Sequence, residues 1–252
     1  MSVLKLLRAG MRQQVQVGLE QIWHSFPAGA APERSSWDPA LSGPGGFGDM
    51  ESFDEARLPP GAPVAASLGW AAETITYVLE GALSQADTTG RATVLGVGDF
   101  QRLTLGRDVL CTEWNASRTA WVHFIRISLR MVASPGQGNS EQRFISQAER
   151  RDQLMVVGSR DVRRHSLLFQ QDLVLISAVL RPGHHLTHPL RPDRMAWLQV
   201  IAGRVQTEGL TVSAGDGLGL CSQRAISITS QTQSEILLID LHLPIDVDDQ
   251  AH

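Results

Sequence analysis

The chain predicts an all-β protein of two domains, each a β-barrel built from short strands. Three observations carry this. Runs rich in β-branched and aromatic residues recur at short, even spacing, as in Glu73–Leu83, Arg91–Leu95 and Trp121–Leu129. Turn dipeptides separate them, and convincing helical periodicity is missing between them. The second half also echoes the first. Leu79-Glu80-Gly81 is followed 17 residues later by Gly98-Asp99, and Ile201-Ala202-Gly203 is followed 12 residues later by Gly215-Asp216. A trimmed hairpin accounts for the shorter interval, and internal repetition of this kind signals duplication.

Taken in order, Gln14–Leu19 alternates polar and apolar residues and predicts a half-buried strand. Residues 27–50 are crowded with Pro, Gly, Ala and Ser and predict a long loop, one long enough to cover a cavity. In the stretch from Glu73, residues Ile75, Tyr77 and Leu79 share one face, and Thr74, Thr76 and Val78 share the other. Ser134–Ser140 is a break, and Ser146-Gln147-Ala148-Glu149 has the capping-box pattern of a short helix. Strands resume over Leu173–Leu180, Trp197–Ile201, Ile226–Thr229 and Ile236–Leu241. The expected division is a first domain over 1–133, a linker with the short helix over 134–152, a second domain over 153–245 and a tail over 246–252.

Composition narrows the function. The 252 residues are 42% hydrophobic and 19% charged, with a net charge of −4, so no basic field exists to hold a phosphate backbone and direct nucleic-acid binding is not expected. Cys111 and Cys221 supply no disulfide framework, and the apolar N-terminal residues are interrupted by Lys5 and Arg8. No apolar run reaches membrane-spanning length, and a cytoplasmic location is expected. Phosphate-binding loops, dinucleotide fingerprints and paired-cysteine zinc motifs are missing from the sequence.

Thr76-Tyr77-Val78-Leu79-Glu80-Gly81-Ala82-Leu83, together with Gly98-Asp99-Phe100-Gln101-Arg102 and Thr112-Glu113-Trp114-Asn115, resembles the N-terminal cupin of the pirin family. Gly46-Phe47-Gly48 and Val122-His123-Phe124 fit the same frame, and Ala196–Val200 with Glu235–Leu241 resembles its C-terminal cupin. The resemblance implies a bicupin, two stacked jelly-roll barrels. It also implies a family that includes iron-containing regulators and quercetin 2,3-dioxygenases. Such proteins hold one metal in the N-terminal barrel through a His-x-His pair and a His-x-Glu pair. Counted from Tyr77 and from Gly98-Asp99, those positions fall on Ser67 and Gly69 and on Cys111 and Glu113. Residues two apart on a strand share a face, so the frame survives while the imidazoles that suit iron, nickel or copper are replaced.

Two function classes follow. In the first, the chain is a pirin-like protein that has lost most metal ligands, needs no cofactor, and binds a small aromatic molecule or a protein partner as a regulator. In the second, it is a quercetin 2,3-dioxygenase-like enzyme holding a single Fe, Cu, Ni or Zn ion through an altered shell drawn from Cys111, Glu113 and His188. Structural readings stand beside each residue. Glu113 hydrogen-bonds Ser67, Asn115 or water, and without a cationic partner its pKa rises on burial. Cys111 is a small buried residue, Glu73 a strand-end charge meeting an arginine or solvent, and His123 a hydrogen-bonded core residue. The cluster His184-His185-Leu186-Thr187-His188 is a solvated loop.

Overall fold

A computed structural model describes residues 3–18, 20–26, 46–64, 72–130, 138–161 and 166–243. Four antiparallel-rich sheets form two jelly-roll-like sandwiches, open rather than closed into continuous barrels. In the first domain a large sheet runs, in spatial order, Asn139–Phe144, Asp99–Thr104, Ala72–Glu80, Val122–Arg130, Met50–Leu58, Glu20–His24 and Gln13–Val17. It faces a smaller sheet of Ala92–Gly96, Ala82–Asp87 and Cys111–Asn115. The second domain repeats the plan. Its large sheet centres on Arg194–Ala202, Ser234–His242 and Leu173–Leu180, and its small sheet comprises His185–Pro189, Ala225–Ser230, Arg204–Thr207 and Leu210–Ser213.

The repeat is visible atom by atom at the turns. Asp99 accepts a hydrogen bond from the Gly96 amide (2.7 Å) and Asp216 accepts one from the Ser213 amide (3.0 Å), each three residues back. The glycine before each aspartate has a left-handed φ, +88° at Gly98 and +82° at Gly215. Gly81 and Gly203, at φ +74° and +76°, are the second matched pair. A Cβ on Gly203 would lie 2.1 Å from the Gln233 carbonyl oxygen, whereas one on Gly209, at φ +75°, meets nothing within 4 Å. Gly203→Ala is therefore expected to cost about 2–3 kcal/mol and Gly209→Ala about 1 kcal/mol, the second reflecting left-handed strain alone. Urea unfolding of the two variants side by side checks the difference.

The two large sheets pack against each other, and the largest apolar cluster lies between them. Ile75, Tyr77, Phe100, Ile125, Ile127 and Leu129 of the first domain meet Leu175, Met195, Trp197, Leu237 and Ile239 of the second. Trp197 is the hub, with Phe26 edge-on at 5.0 Å and Phe47 tilted at 5.5 Å between ring centroids. The face that carries Ile75 and Tyr77 thus joins the domains, and Thr74, Thr76 and Val78 face into the first sandwich. Aromatic side chains bury most area where two sheet faces meet, which explains the choice of face.

Chain crossings tie the domains further. Val3–Leu7, at the N-terminus, pairs with Gly217–Cys221 in the second domain's sheet, whereas Asn139–Phe144 is the edge strand of the first domain's sheet. Arg8 then bridges to Asp216 at 2.9 Å and Arg12 to Glu55 at 2.7 Å. The Ser146–Glu149 capping box forms, with the Ser146 amide donating to the Glu149 carboxylate at 2.8 Å. It closes a single turn over 147–150 and not a longer helix, because Arg150 is drawn into the domain interface and Asp152 takes a left-handed φ of +55°. Residues 27–45 of the expected covering loop lie outside the described residues. No helix among the described residues is long and apolar enough to cross a membrane.

Burial alone would push the Glu55 carboxyl up in pKa. The His123 hydrogen bond at 2.8 Å and the Arg12 charge outweigh burial and bring it down to about 2. A depressed carboxylate stabilises the fold above its ordinary pKa and loses that contribution as pH falls toward 2. Glu55 is expected to supply at most about 3 kcal/mol this way. Urea unfolding at pH about 6 and about 3 should show a smaller stability difference in Glu55→Gln than in the parent.

Candidate functional site in the N-terminal domain

The interiors of the two sandwiches differ in chemistry. The second is filled by aliphatic side chains such as Ile176, Leu198, Leu220, Ile228 and Leu238. The first has one apolar cluster around Leu58, Val78, Leu83, Leu95 and Phe124 and a smaller one of Leu103, Leu105 and Cys111. It also buries Gln85, Gln101, Glu113 and Arg126. Buried polar groups are costly unless paired, so their concentration marks the candidate site.

Strand Cys111–Asn115 alternates buried and exposed residues, which turns Cys111, Glu113 and Asn115 inward. Asn115 is structural. Its amide donates to the carbonyls of Leu58, Pro59 and Ala120, and its side-chain oxygen accepts from the Ser117 amide. It is therefore not the Glu113 partner. Glu113 is met instead by Gln85, directly opposite on the neighbouring strand, whose amide donates to Oε1 at 2.6 Å. On its other oxygen sits Arg126, with Nη2 at 2.5 Å from Oε2. The N–H is not aimed along this contact, so it is a charge contact and not an aligned hydrogen bond.

Arg126 reaches this position from strand Val122–Arg130, at the centre of the large sheet between Ala72–Glu80 and Met50–Leu58. It shares a face with Phe124, whose ring centroid lies 5.1 Å below the guanidinium carbon. Neither Arg126 nor Gln85 is singled out by motif spacing. A signal for Arg126 does exist in the sequence. It is a cation at mid-strand in an apolar run, on the face of Phe124, and such a residue must find a buried anion.

Cys111 is buried, and burial first and the nearby Glu113 charge second push its thiol up to about 11. It is consequently protonated at neutral pH. With Gln85, Gln101, Leu103 and Leu105 it lines a cavity of about 220 Å³. Ser67 and Gly69 lie outside the described residues. His188 is on a different domain, in the small sheet of the second sandwich, where its Nε2 is 2.8 Å from Asp240. The structure therefore does not bring it to Cys111 and Glu113. Among the described residues no three His, Cys, Asp or Glu side chains cluster closely enough to hold a metal ion.

His123 is 8% exposed and bonded to Glu55, a core histidine. Glu73 is fully buried and not solvated at a strand end. It sits 3.7 Å from Arg102 and accepts the Gln170 amide at 3.1 Å, and burial raises its pKa. His184 and His185 stay at the surface on Asp152 and Thr229.

Comparisons with known proteins agree with this architecture. The family described as Pirin matches residues 50–128, and that described as Quercetinase C-terminal cupin domain matches 156–241. Quercetin 2,3-dioxygenase of Escherichia coli (strain K12) is 28% identical over 239 residues, covering 95% of this chain and 99% of its own. A relative in Mycobacterium bovis is 30% identical over 173 residues, 68% of this chain and 70% of its own. The crystal structure of the bacterial pirin YhhW in complex with nickel(II), from Escherichia coli, superposes with a TM-score of 0.84 at 27% identity, covering 96% of this chain and all of that one. With two domains matched in order and relatives aligned over nearly its whole length, this chain belongs to the pirin family of bicupins.

Proposed function

We propose that this chain is a pirin-family protein that works without a resident metal, binding a small aromatic molecule in its N-terminal domain as a regulatory or sensing protein. The observation that carries this reading is the Arg126–Glu113 contact. The carboxylate at the family's ligand position already has a cation 2.5 Å from one oxygen and an amide donor on the other. A dication at the same oxygen would face the guanidinium at close range, and that repulsion would need to be overcome. The remaining donors do not fit a metal either. Ser67 is a neutral hydroxyl, Gly69 has no side chain, and Cys111 would have to surrender a proton held to about 11.

The cavity beside Cys111 supports a binding role. Its walls combine apolar Leu103 and Leu105 with the amides of Gln85 and Gln101, a pattern that suits a small ring carrying polar substituents. A protein partner for such a regulator is part of this proposal, with the net charge of −4 setting it apart from direct nucleic-acid binders.

The names of the relatives favour a second reading, a metal-dependent dioxygenase with an altered shell. Two measurements separate the readings. Elemental analysis of untagged protein is expected to find far less than one iron, copper, nickel or zinc per chain. An oxygen electrode with quercetin is expected to record no turnover. Stoichiometric metal that disappears in Glu113→Gln, together with oxygen uptake, would establish the enzyme instead.

A further inference from the structure

A second cavity, of about 370 Å³, opens at the end of the second sandwich, in the other domain from the Cys111 cavity. Its walls are Leu154, Val156, Val174 and Ile176, the fringe of that domain's aliphatic core. Its rim is polar. Arg194 and Asp240 project from the same strand faces as Ala196 and Leu238, and His188 comes from the small sheet opposite.

The rim is wired in one direction. Asp240 accepts from Arg194 Nε at 2.6 Å on one oxygen and meets His188 Nε2 at 2.8 Å on the other. Burial favours the neutral acid, but the His188 and Arg194 hydrogen bonds outweigh it and hold Asp240 below the ordinary carboxylate range. An ionised carboxylate only accepts, so His188 must donate from Nε2. Its Nδ1 has no partner among the described residues. A proton on that nitrogen makes it a donor already backed by a carboxylate.

The charges around it decide what that donor would meet. Asp240 is saturated by His188 and Arg194, and Asp172 is taken by Arg194 Nη1 at 2.8 Å. Asp161 is itself engaged. Arg191 lies 3.4 Å from Asp193 at the surface. Arg160 is exposed and has no ion-pair partner among the described residues. Among the described residues, the cation left over in the lining of this cavity is therefore Arg160, which shares it with the aliphatic wall and with His188.

We propose that this cleft binds a small apolar carboxylic acid, its hydrocarbon body against Val156, Val174 and Ile176 and its carboxylate between His188 and Arg160. The ligand oxygen accepts from His188 Nδ1–H while Asp240 accepts from Nε2–H, so the ring links the two carboxylates.

Benzoate and its neutral isostere benzamide test this on the full chain by calorimetry. Benzoate is expected to saturate with a Kd of roughly 1 mM or tighter and benzamide to bind at least about tenfold more weakly. His188→Gln, which can still donate to Asp240, is expected to lose about tenfold in benzoate affinity, and Arg160→Gln about threefold. A wild-type readout guards against misfolded variants, because the nitrogen chemical shifts of the His188 ring should move on benzoate addition. The proposal fails if benzoate does not saturate by roughly 10 mM, if benzamide binds equally well, or if the His188 ring signals do not respond. None of these outcomes depends on the metal content or ligand of the N-terminal domain.

Discussion

Arg150→Met is expected to destabilise the protein by about 3–5 kcal/mol, among the largest effects of any single polar substitution in the chain. The side chain is 2% exposed and lies in the interface between the domains. A single nitrogen, Nη1, reaches the Tyr77 hydroxyl at 2.9 Å, Ser177 Oγ at 2.9 Å and Glu235 at 2.7 Å. Tyr77 also donates to Glu235 and stacks on Phe100 with ring centroids 4.0 Å apart, and the guanidinium carbon sits 5.3 Å from the Tyr77 ring. Without Arg150, Glu235 keeps, among the described residues, only a phenol against its largely buried charge. Burial and the Glu235 charge both raise the Tyr77 pKa, so the phenol stays protonated and keeps donating to Glu235. A further result follows if charge is the cause. Arg150→Met combined with Glu235→Gln should recover more than half of the loss, as a neutral pair replaces a broken ionic one. Urea unfolding of the single and double variants decides, and strictly additive losses would assign the cost to packing instead.

Arg150 also shows what was and was not legible in the sequence. Strand positions were, because alternation and glycine turns are local properties. Leu173–Leu180 is a strand over the bounds its composition suggests, and the matched Gly-Asp turns announce the duplication. The alternation of Tyr77 with Thr76 was equally plain, but which face meets what was not. A sheet with both faces covered offers no polar side to mark the outside, so the interface face and the cavity face look alike. For the same reason Arg150, at the end of a capping box, reads as a solvated helix residue. Its burial depends on Glu235, 85 residues away. The candidate site divides along the same line. Cys111 and Glu113 come from register within one strand. Arg126 and Gln85 come from two other strands and needed the assembled sandwich, although a mid-strand arginine facing inward with Phe124 was a sign that an acid lay opposite. The N-terminal strand in the second domain's sheet had no local signature at all.

The Arg126 contact leads to the second large expectation. Restoring histidine at 67, 69 and 111 is expected not to restore stoichiometric metal while Arg126 remains, whereas adding Arg126→Leu to those three changes is expected to do so. The reason is electrostatic. At an effective dielectric of about 20, a dication about 4 Å from a guanidinium is repelled by about 8 kcal/mol. The imidazoles would have to supply that before any net binding appeared. Removing the arginine abolishes the repulsion and returns Glu113 Oε2 as a donor, with Gln85 still holding Oε1. Arg126→Leu alone leaves a carboxylate that is 1% exposed without its cation, and a loss of about 3–5 kcal/mol is expected. The four-change variant should regain stability when nickel or iron is added, since a metal bound only by the folded state raises the unfolding midpoint with concentration. Metal content and the metal-dependent shift in unfolding midpoint, compared between the three- and four-change variants, provide the check. Equal loading of both would show that Arg126 yields readily and that the lost imidazoles alone explain a metal-free domain. No loading of either would show that residues 67 and 69 are not the positions that face Glu113. Loading confined to the variant lacking Arg126 would make the guanidinium the side chain that stands in the place of the family's metal.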